Sequence, residues 1–177
     1  MERRERIVVE RSFDARTAID EVQNAERRVA ALFEERGVRT VESFLSFDGR
    51  SMMSIYDAAA VESVRQTQSA ASLPFTRAWS ARVERHGETS HSPAGGSVVV
   101  LERDPPAGMT EDAMREAMAA SGPCFETNGV AALSTYFAAD LSRIVCVFSA
   151  VDAEAVRRAN RERGLPFTRA WAATHHL

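Results

Sequence analysis

The sequence contains little cysteine, tyrosine, tryptophan or proline: its 177 residues include two, two, two and six of these. Two cysteines are too few for the disulfide framework of small secreted domains. Cys124 falls in a predicted helix and Cys146 in a predicted strand, so we expect both to be reduced thiols that pack as small hydrophobic side chains. This cysteine usage favours an intracellular, cytoplasmic protein.

An excess of positive charge and long apolar runs are also missing. With 22 basic and 25 acidic residues the formal charge is −3, which argues against binding of nucleic acid through its phosphates. Residues 1–6 alternate in charge and lead into an apolar run of only three residues, too short for a signal peptide or membrane span. We therefore expect a soluble protein with no nucleic-acid or membrane partner.

Sequence motifs of nucleotide and covalent hydrolase chemistry are absent as well. The chain has no Gly-x-Gly-x-x-Gly, no phosphate-binding loop, no Gly-x-Ser-x-Gly and no His-Glu-x-x-His. Its hydrophobic content of 45% and charged content of 27% are ordinary for a globular protein. Functional residues must therefore be sought in small clusters of side chains.

The sequence does contain a long internal repeat. The segment Leu73–Trp79, Leu-Pro-Phe-Thr-Arg-Ala-Trp, returns unchanged at Leu165–Trp171, and this offset of 92 holds without a gap through 80 positions, of which 23 are identical. We interpret the chain as a tandem duplication. Repeat 1 covers residues 6–85, a polar linker covers 86–97, and repeat 2 covers 98–177.

Each repeat has the pattern of a strand, a helix, two strands, a helix and a strand. Apolar residues at three- and four-residue spacing predict one helix from about Thr17 to Glu35. Asp48-Gly49 favours a tight hairpin turn, whereas Leu141 in place of that glycine predicts a different turn in repeat 2. Asp152 is a predicted helix N-cap, because its carboxylate can accept a hydrogen bond from the first turn.

This element order is that of the ferredoxin-like fold, which belongs to the α+β class. Such a sheet has helices on one face only, and a second repeat can cover the other face. The sequence therefore predicts two tandem ferredoxin-like repeats that pack sheet to sheet as an intrachain dimeric α+β barrel. The product is a pseudo-dimeric monomer, and further pairing with a second chain through exposed outer strands is left open.

Two segments of repeat 2 resemble a known family. Glu102–Pro105, Glu-Arg-Asp-Pro, and residues 151–167 are similar to the domain of unknown function 4242 family, whose members include proteins described as nickel-responsive or nickel-binding. The resemblance covers repeat 2 almost throughout and repeat 1 more loosely. It implies a ferredoxin-like fold that pairs into a barrel, and it raises nickel or another divalent metal as a bound ion. A fold does not determine an activity, so the resemblance leaves the function open.

Two sets of side chains at the rims of the predicted sheets are candidates for chemistry. Each set has a glutamate, an aromatic residue and an arginine: Glu10, Tyr56 and Arg77 in repeat 1, and Glu102, Phe148 and Arg169 in repeat 2. The glutamate could transfer protons while the arginine holds an anionic oxygen of a substrate. The alternative is a cross-strand ion pair that closes the end of the barrel.

The two repeats differ in where they carry a tyrosine. Tyr56 aligns with Phe148 and Phe44 aligns with Tyr136, so one phenol hydroxyl has moved from the third strand to the second. We expect a working site near such asymmetric positions, with Tyr56 or Tyr136 as a hydrogen-bond donor. A tyrosine can equally reflect a nearby polar partner. The shared Leu-Pro-Phe-Thr-Arg-Ala-Trp segment is predicted to stabilise the fold.

His175 and His176 are the candidate metal ligands, because imidazole binds nickel, copper and zinc. Neighbouring residues on a strand point to opposite faces, which makes joint coordination of one ion difficult. His86 and His91 lie in or beside the linker, and no closely spaced histidine or cysteine motif accompanies them.

Two classes of function follow. The first is a small ligand- or divalent-metal-binding protein, with nickel as the metal that the resemblance suggests. The second is a cofactor-independent enzyme of the dimeric α+β barrel type, such as a cyclase or monooxygenase acting on an aromatic or polyketide-like substrate. Glu10 or Glu102 would then be the acid–base group, and Arg77 or Arg169 would hold an anionic oxygen. The sequence does not decide whether the protein is an enzyme.

Overall fold

A computed structural model describes residues 5–86 and 97–177 of the chain. The elements in chain order are β1 (Glu5–Ser12), α1 (Ile19–Arg28), α2 (Ala30–Glu35), β2 (Arg39–Ser46), β3 (Ser51–Ala58), α3 (Val61–Ala70), β4 (Arg77–Arg85), β5 (Ser97–Arg103), α4 (Glu111–Ala119), α5 (Gly122–Thr127), β6 (Ala131–Ala138), β7 (Ile144–Ala150), α6 (Ala153–Glu162) and β8 (Arg169–His176). Most of the predicted linker, including His91, lies outside the described residues.

The strands follow one another in the order β1-β3-β2-β8-β5-β7-β6-β4 as one closed barrel. Their registers within each repeat are antiparallel. The prediction of an α+β fold with an eight-stranded barrel is therefore confirmed. That one repeat packs its sheet on the other stays a prediction.

The chain divides into two compact units, which differ slightly from the predicted repeats. The first unit is Met1–Arg82 together with Thr174–Leu177, and the second unit is Val83–Ala173. The last residues of β4 therefore belong to the second unit, and those of β8 belong to the first. The repeat boundaries inferred from the sequence stay a prediction.

The central strand of the first unit is β1, which pairs with β3 on one side and β4 on the other. Its alternating side chains place Ile7 and Val9 in a buried core with Tyr56 of β3 and Val64 of α3. Strand β2 extends the sheet beyond β3, with a bulge between Thr40 and Glu42. The helices thus cover one face of this sheet.

The second unit repeats this arrangement around β5, which lies between β7 and β8. Val99 and Leu101 point into a helix-covered core with Phe125 and Phe148. The bulge of β6 falls between Ala132 and Ser134, at the positions that align with the bulge of β2. The same irregularity at aligned positions is what a duplicated unit would retain.

The first predicted helix is two helices, so that prediction is wrong in detail. Val29 separates α1 from α2 with φ −117° and ψ 24°. Its amide donates to the carbonyl of Glu26, three residues back, at 3.1 Å, which interrupts the regular series of bonds to the fourth residue back. In the second unit Pro123 stands in the first turn of α5, where a missing amide proton is tolerated.

The two hairpin turns have the same conformation, and the predicted difference between them is wrong. Gly49 has φ 69° and Leu141 has φ 56°, and each amide donates to the residue three positions back, Ser46 or Ala138, at 2.8 and 2.9 Å. A left-handed conformation costs a leucine about 1–2 kcal/mol. The side chain of Leu141 packs against the core of the second unit, which offsets this cost.

Among the described residues, none of the helices combines the length and apolar composition needed to cross a membrane.

Helix α6 has a side-chain cap that its counterpart α3 lacks. Asp152 accepts a hydrogen bond from the amide of Ala155 at 2.8 Å, whereas the aligned Ala60 has a similar extended backbone and no side-chain acceptor. We expect Asp152→Ala to lower the free energy of unfolding by about 1 kcal/mol, and Ala60→Asp to raise it by a similar amount. Urea unfolding monitored by circular dichroism measures both. A destabilising Ala60→Asp would contradict the equivalence of the two caps.

Candidate functional site

Glu102 is held by three donors at the end of β5 and is only 7% exposed. Its Oε2 accepts a hydrogen bond from Arg143 at 2.6 Å, and its Oε1 accepts bonds from Arg169 at 2.6 Å and from the indole of Trp171 at 2.7 Å. Burial acts to raise the pKa of Glu102, but the bonds from Arg169 and Trp171 and the nearby positive charges outweigh it and lower the pKa below its usual value. The Glu102 side chain is therefore ionised at neutral pH.

These contacts favour the ion-pair interpretation of Glu102 over that of a proton acceptor. A carboxylate with a lowered pKa is a weak base, and both of its oxygens already accept hydrogen bonds. Asp104 accepts a bond from Arg143 at 3.0 Å, so two acids and two arginines form one cluster. Catalytic roles for Glu102 and Arg169 stay hypotheses.

Glu10 has the corresponding contact in the first unit. Its Oε1 accepts a hydrogen bond from the indole of Trp79 at 2.9 Å. The carbonyls of Glu10 and Glu102 also accept the amides of Thr76 and Thr168, each at 2.8 Å. The shared Leu-Pro-Phe-Thr-Arg-Ala-Trp segment therefore holds the last strand of each unit to the central one, as expected of a structural motif.

Tyr56 does not join Glu10 and Arg77, and the predicted grouping of these three residues is wrong. Strand register places Glu10 opposite Met53 and Arg77, while Tyr56 is opposite Ile7. Side chains alternate between faces, so Tyr56 lies on the helix-covered side. Phe148 is likewise opposite Val99 in the helix-covered core and not beside Glu102.

Tyr56 belongs instead to a buried polar network that the sequence reasoning missed. Its hydroxyl donates to Glu26 at 2.5 Å and accepts from Arg11 at 3.1 Å. Arg11, 1% exposed, also donates to Ser54 at 3.0 Å and to Gln68. Burial, partly offset by the charge of Arg11, raises the pKa of Tyr56 to about 12. The signal in the sequence was an arginine at a helix-facing position of an apolar strand.

The second unit has an arginine at the position aligned with Arg11 but no acidic residue at the position aligned with Glu26. Arg103, 1% exposed, donates to Asn160 at 2.8 Å, and its Nε and Nη1 have no hydrogen-bond partner within the described parts of the chain. The aligned residues differ: Met118 replaces Glu26, Phe148 replaces Tyr56 and Cys146 replaces Ser54. The first unit therefore balances its buried cation more completely than the second does.

Tyr136 lies in the same line of cross-strand neighbours as Glu102 and Arg169. It is opposite Val145 of β7, which is opposite Glu102 of β5, which in turn is opposite Arg169 of β8. Residues directly opposite on neighbouring strands project from the same face of a sheet. Tyr136, Glu102 and Arg169 therefore lie on one face, as the enzyme hypothesis requires.

His175 and His176 have separate partners. The Nε2 of His175 lies 3.1 Å from Oε2 of Glu42, and its ring stacks on Phe44 with centroids 4.8 Å apart. The Nε2 of His176 lies 2.9 Å from the hydroxyl of Thr174. Within residues 5–86 and 97–177, no group of three or more His, Cys, Asp or Glu side chains is arranged to hold a metal ion. Metal binding by His175 and His176 stays a prediction.

The second unit contains a cavity of about 600 Å³ that the sequence reasoning did not foresee. It lies between β6, helices α4 and α5, and the end of β4. Its walls are mainly apolar, with Met118, Phe125, Val130, Ala132 and Phe137 among them. Four polar side chains also line it: Glu84, His86, Arg115 and Glu126.

The polar side chains at this cavity are largely paired with protein groups. Arg115 donates from Nε and Nη2 to Glu84 at 3.2 and 2.9 Å, from Nη1 to Asp112 at 2.8 Å, and from Nη2 to Glu111. The Nε2 of His86 lies 3.0 Å from the hydroxyl of Thr135. All three guanidinium nitrogens of Arg115 are thus engaged.

The lowered pKa of Glu102 predicts a contribution to stability that depends on pH. Because its pKa is lower in the folded protein than the usual 4.5, this contribution is present above pH 4.5 and is lost as the pH falls through the lowered value. Glu102→Gln should cost about 3 kcal/mol at neutral pH, since the buried Arg143 loses a partner, and less at about pH 3.

Urea unfolding at several pH values measures this difference. Glu154→Gln is the matched control, because Glu154 is an exposed carboxylate paired with Arg157 and Arg161, and its loss should leave stability nearly unchanged. A cost of Glu102→Gln that is the same at neutral and acidic pH would contradict the lowered pKa.

Among known protein families, one family model matches a segment of the second unit. The family model described as nickel responsive protein SCO4226-like matches residues 100–172, which is less than half of the chain. No curated protein matches the chain. This segment is therefore similar to a nickel-responsive protein family, whereas the resemblance to the domain of unknown function 4242 family stays a prediction.

Solved structures share the fold over nearly the whole chain. A variant of chlorite dismutase from Candidatus Nitrospira defluvii is 12% identical, with a TM-score of 0.58, and the match covers 99% of this chain and 93% of that one. A heme-binding protein from Thermus thermophilus is 10% identical, with a TM-score of 0.51, covering 98% and 92%. At such low identity these similarities establish the fold that the chain shares with them, and nothing about its activity.

Proposed function

We propose that the protein binds a small, mostly apolar molecule in the cavity of the second unit. The observation that carries this proposal is the cavity itself. Its volume of about 600 Å³ falls within the range of roughly 300–1,000 Å³ that is typical of small-molecule sites. Apolar walls with a few polar side chains are also the usual composition of such sites.

The differences between the two repeats support this proposal. Where repeat 1 has the hydrogen-bonded pair Glu26 and Tyr56, repeat 2 has Met118 and Phe148. Met118 lines the cavity, and Phe148 packs edge-on against Phe125, another wall residue, with centroids 5.5 Å apart. If the chain is a tandem duplication, one copy has exchanged a polar pair for apolar walls. Such an exchange suits a site for an apolar ligand.

The enzyme hypothesis has weaker support. Tyr136, Glu102 and Arg169 lie on one face, but the lowered pKa of Glu102 makes it a poor proton acceptor at neutral pH. A cyclase or monooxygenase acting on an aromatic or polyketide-like substrate would need another base. Binding without catalysis is therefore the function that the geometry supports best.

Nickel or another divalent metal is the second candidate ligand, because the matching family is described as nickel responsive. The separate partners of the two predicted ligands speak against joint coordination of one ion by them. His175 is held by Glu42 and Phe44, while His176 contacts Thr174 and borders a separate cavity of about 320 Å³. We expect any metal binding to depend on other residues.

Filling the cavity tests the proposed site. Ala132→Leu adds bulk to the wall, so we expect it to weaken binding of naphthylmethanol, a neutral apolar probe, by about tenfold or more, as measured by ligand-observed NMR or calorimetry. Thr40→Leu is the matched control, because Thr40 is the aligned position of the first unit, outside this cavity. Equal affinity of wild type and Ala132→Leu, with both folded, would contradict the proposal.

A nickel titration tests the second candidate. Calorimetry with Ni²⁺ on tag-free protein compares the wild type with a double variant, His175→Ala and His176→Ala. We expect the two proteins to bind Ni²⁺ equally weakly, because the imidazoles have separate partners. Tight, saturable binding that the double variant loses would establish these histidines as metal ligands.

A further inference from the structure

We infer that the ligand of this cavity is an organic cation, namely an amine attached to an aromatic or aliphatic hydrocarbon. The inference rests on the proposed binding function and adds the charge of the ligand. It follows from which charged groups at the cavity are already paired and which are not.

Arg115 is the one basic side chain among the described residues that line the cavity, apart from His86. Its positive charge is shared by three acids, Glu84, Glu111 and Asp112, whose nearest oxygens lie within 3 Å of its nitrogens. An anionic ligand would have to displace one of these acids to reach a donor. The acids around Arg115 thus occupy the donors that an anion in the cavity would need.

Glu126 adds a further negative charge to the wall. It stands on α5 and is exposed, and its carboxylate has no hydrogen-bond or ion-pair partner within the described ranges of the chain. Solvent partly screens this exposed carboxylate, but no cation among the described residues neutralises it, so it attracts a cation that enters the cavity. Glu126 is therefore the expected partner of the ligand's ammonium group.

The apolar walls determine the rest of the ligand. Met118, Phe125 and Phe137 offer a thioether and two aromatic rings, which bind hydrocarbon and also attract cations through the ring quadrupole. A small hydrophilic cation would leave these walls uncovered. Recognition thus requires a hydrocarbon body together with one positive charge.

Three probes with the same naphthyl body separate charge from shape: naphthylmethylamine, naphthylmethanol and naphthylacetate. At neutral pH these are a cation, a neutral molecule and an anion. We expect the amine to bind about tenfold more tightly than the carboxylate, with the alcohol between them, and about 0.5 M sodium chloride to reduce the difference. Calorimetric titration of the wild-type protein measures all three.

Glu126→Gln identifies the residue responsible. It should weaken binding of the amine severalfold and leave binding of the alcohol unchanged. Glu116→Gln is the matched control, because it removes the same charge from an exposed position of α4 that does not line the cavity. A similar loss in both variants would overturn the role of Glu126.

The outcomes for ligand charge and for binding itself are distinguishable. If the alcohol binds and the amine binds no more tightly, the ligand is not a cation, while the proposed binding function stands. If none of the three probes binds, the proposed function itself fails.

Discussion

The fold depends on two opposite charges that the central strand of each unit carries at neighbouring positions, on opposite faces of the sheet; all are buried except Glu10, which is half-buried. In β1 these are Glu10 and Arg11, and in β5 they are Glu102 and Arg103. Burying an unpaired charge costs several kcal/mol, so each of these groups requires a partner supplied by another element. A tryptophan of the last strand serves each glutamate, and an amide of the last helix, Gln68 or Asn160, serves each arginine.

This constraint ties the two faces of each sheet to the same strand. The glutamate binds the last strand and the segment before it through its side chain and its main-chain carbonyl. The arginine binds the last helix, α3 or α6. The networks differ in how many hydrogen bonds each arginine makes: Arg11 reaches the carboxylate of Glu26 through Tyr56, whereas two nitrogens of Arg103 have no partner among the described residues. The less satisfied unit is also the one with the large apolar cavity. The residues aligned with Glu26 and Tyr56 in the second unit are the apolar Met118 and Phe148, of which Met118 lines this cavity.

The order of helix and strand patterns along the chain was sufficient to predict the fold class, because each pattern depends only on the local spacing of apolar residues. The conformation of Leu141 was not predictable from its own identity, since packing of its side chain offsets the backbone cost. The grouping of Tyr56 with Glu10 failed because register decides which face a residue occupies, and register is set by partners far along the chain. The cavity was not predictable, because its walls come from α4, α5, β6 and the end of β4, which only the tertiary structure brings together.

The first unit combines residues from two distant parts of the chain, which has a consequence for folding during synthesis. Thr174 donates to the carbonyl of Leu45, a contact that spans 129 residues, and His175 contacts Glu42. Closing so long a loop is slow, and these contacts cannot form until residues 174–177 have left the ribosome. Until then the first unit lacks its last residues, 174–177. During that interval the outer strand β2 can pair with strands of other chains.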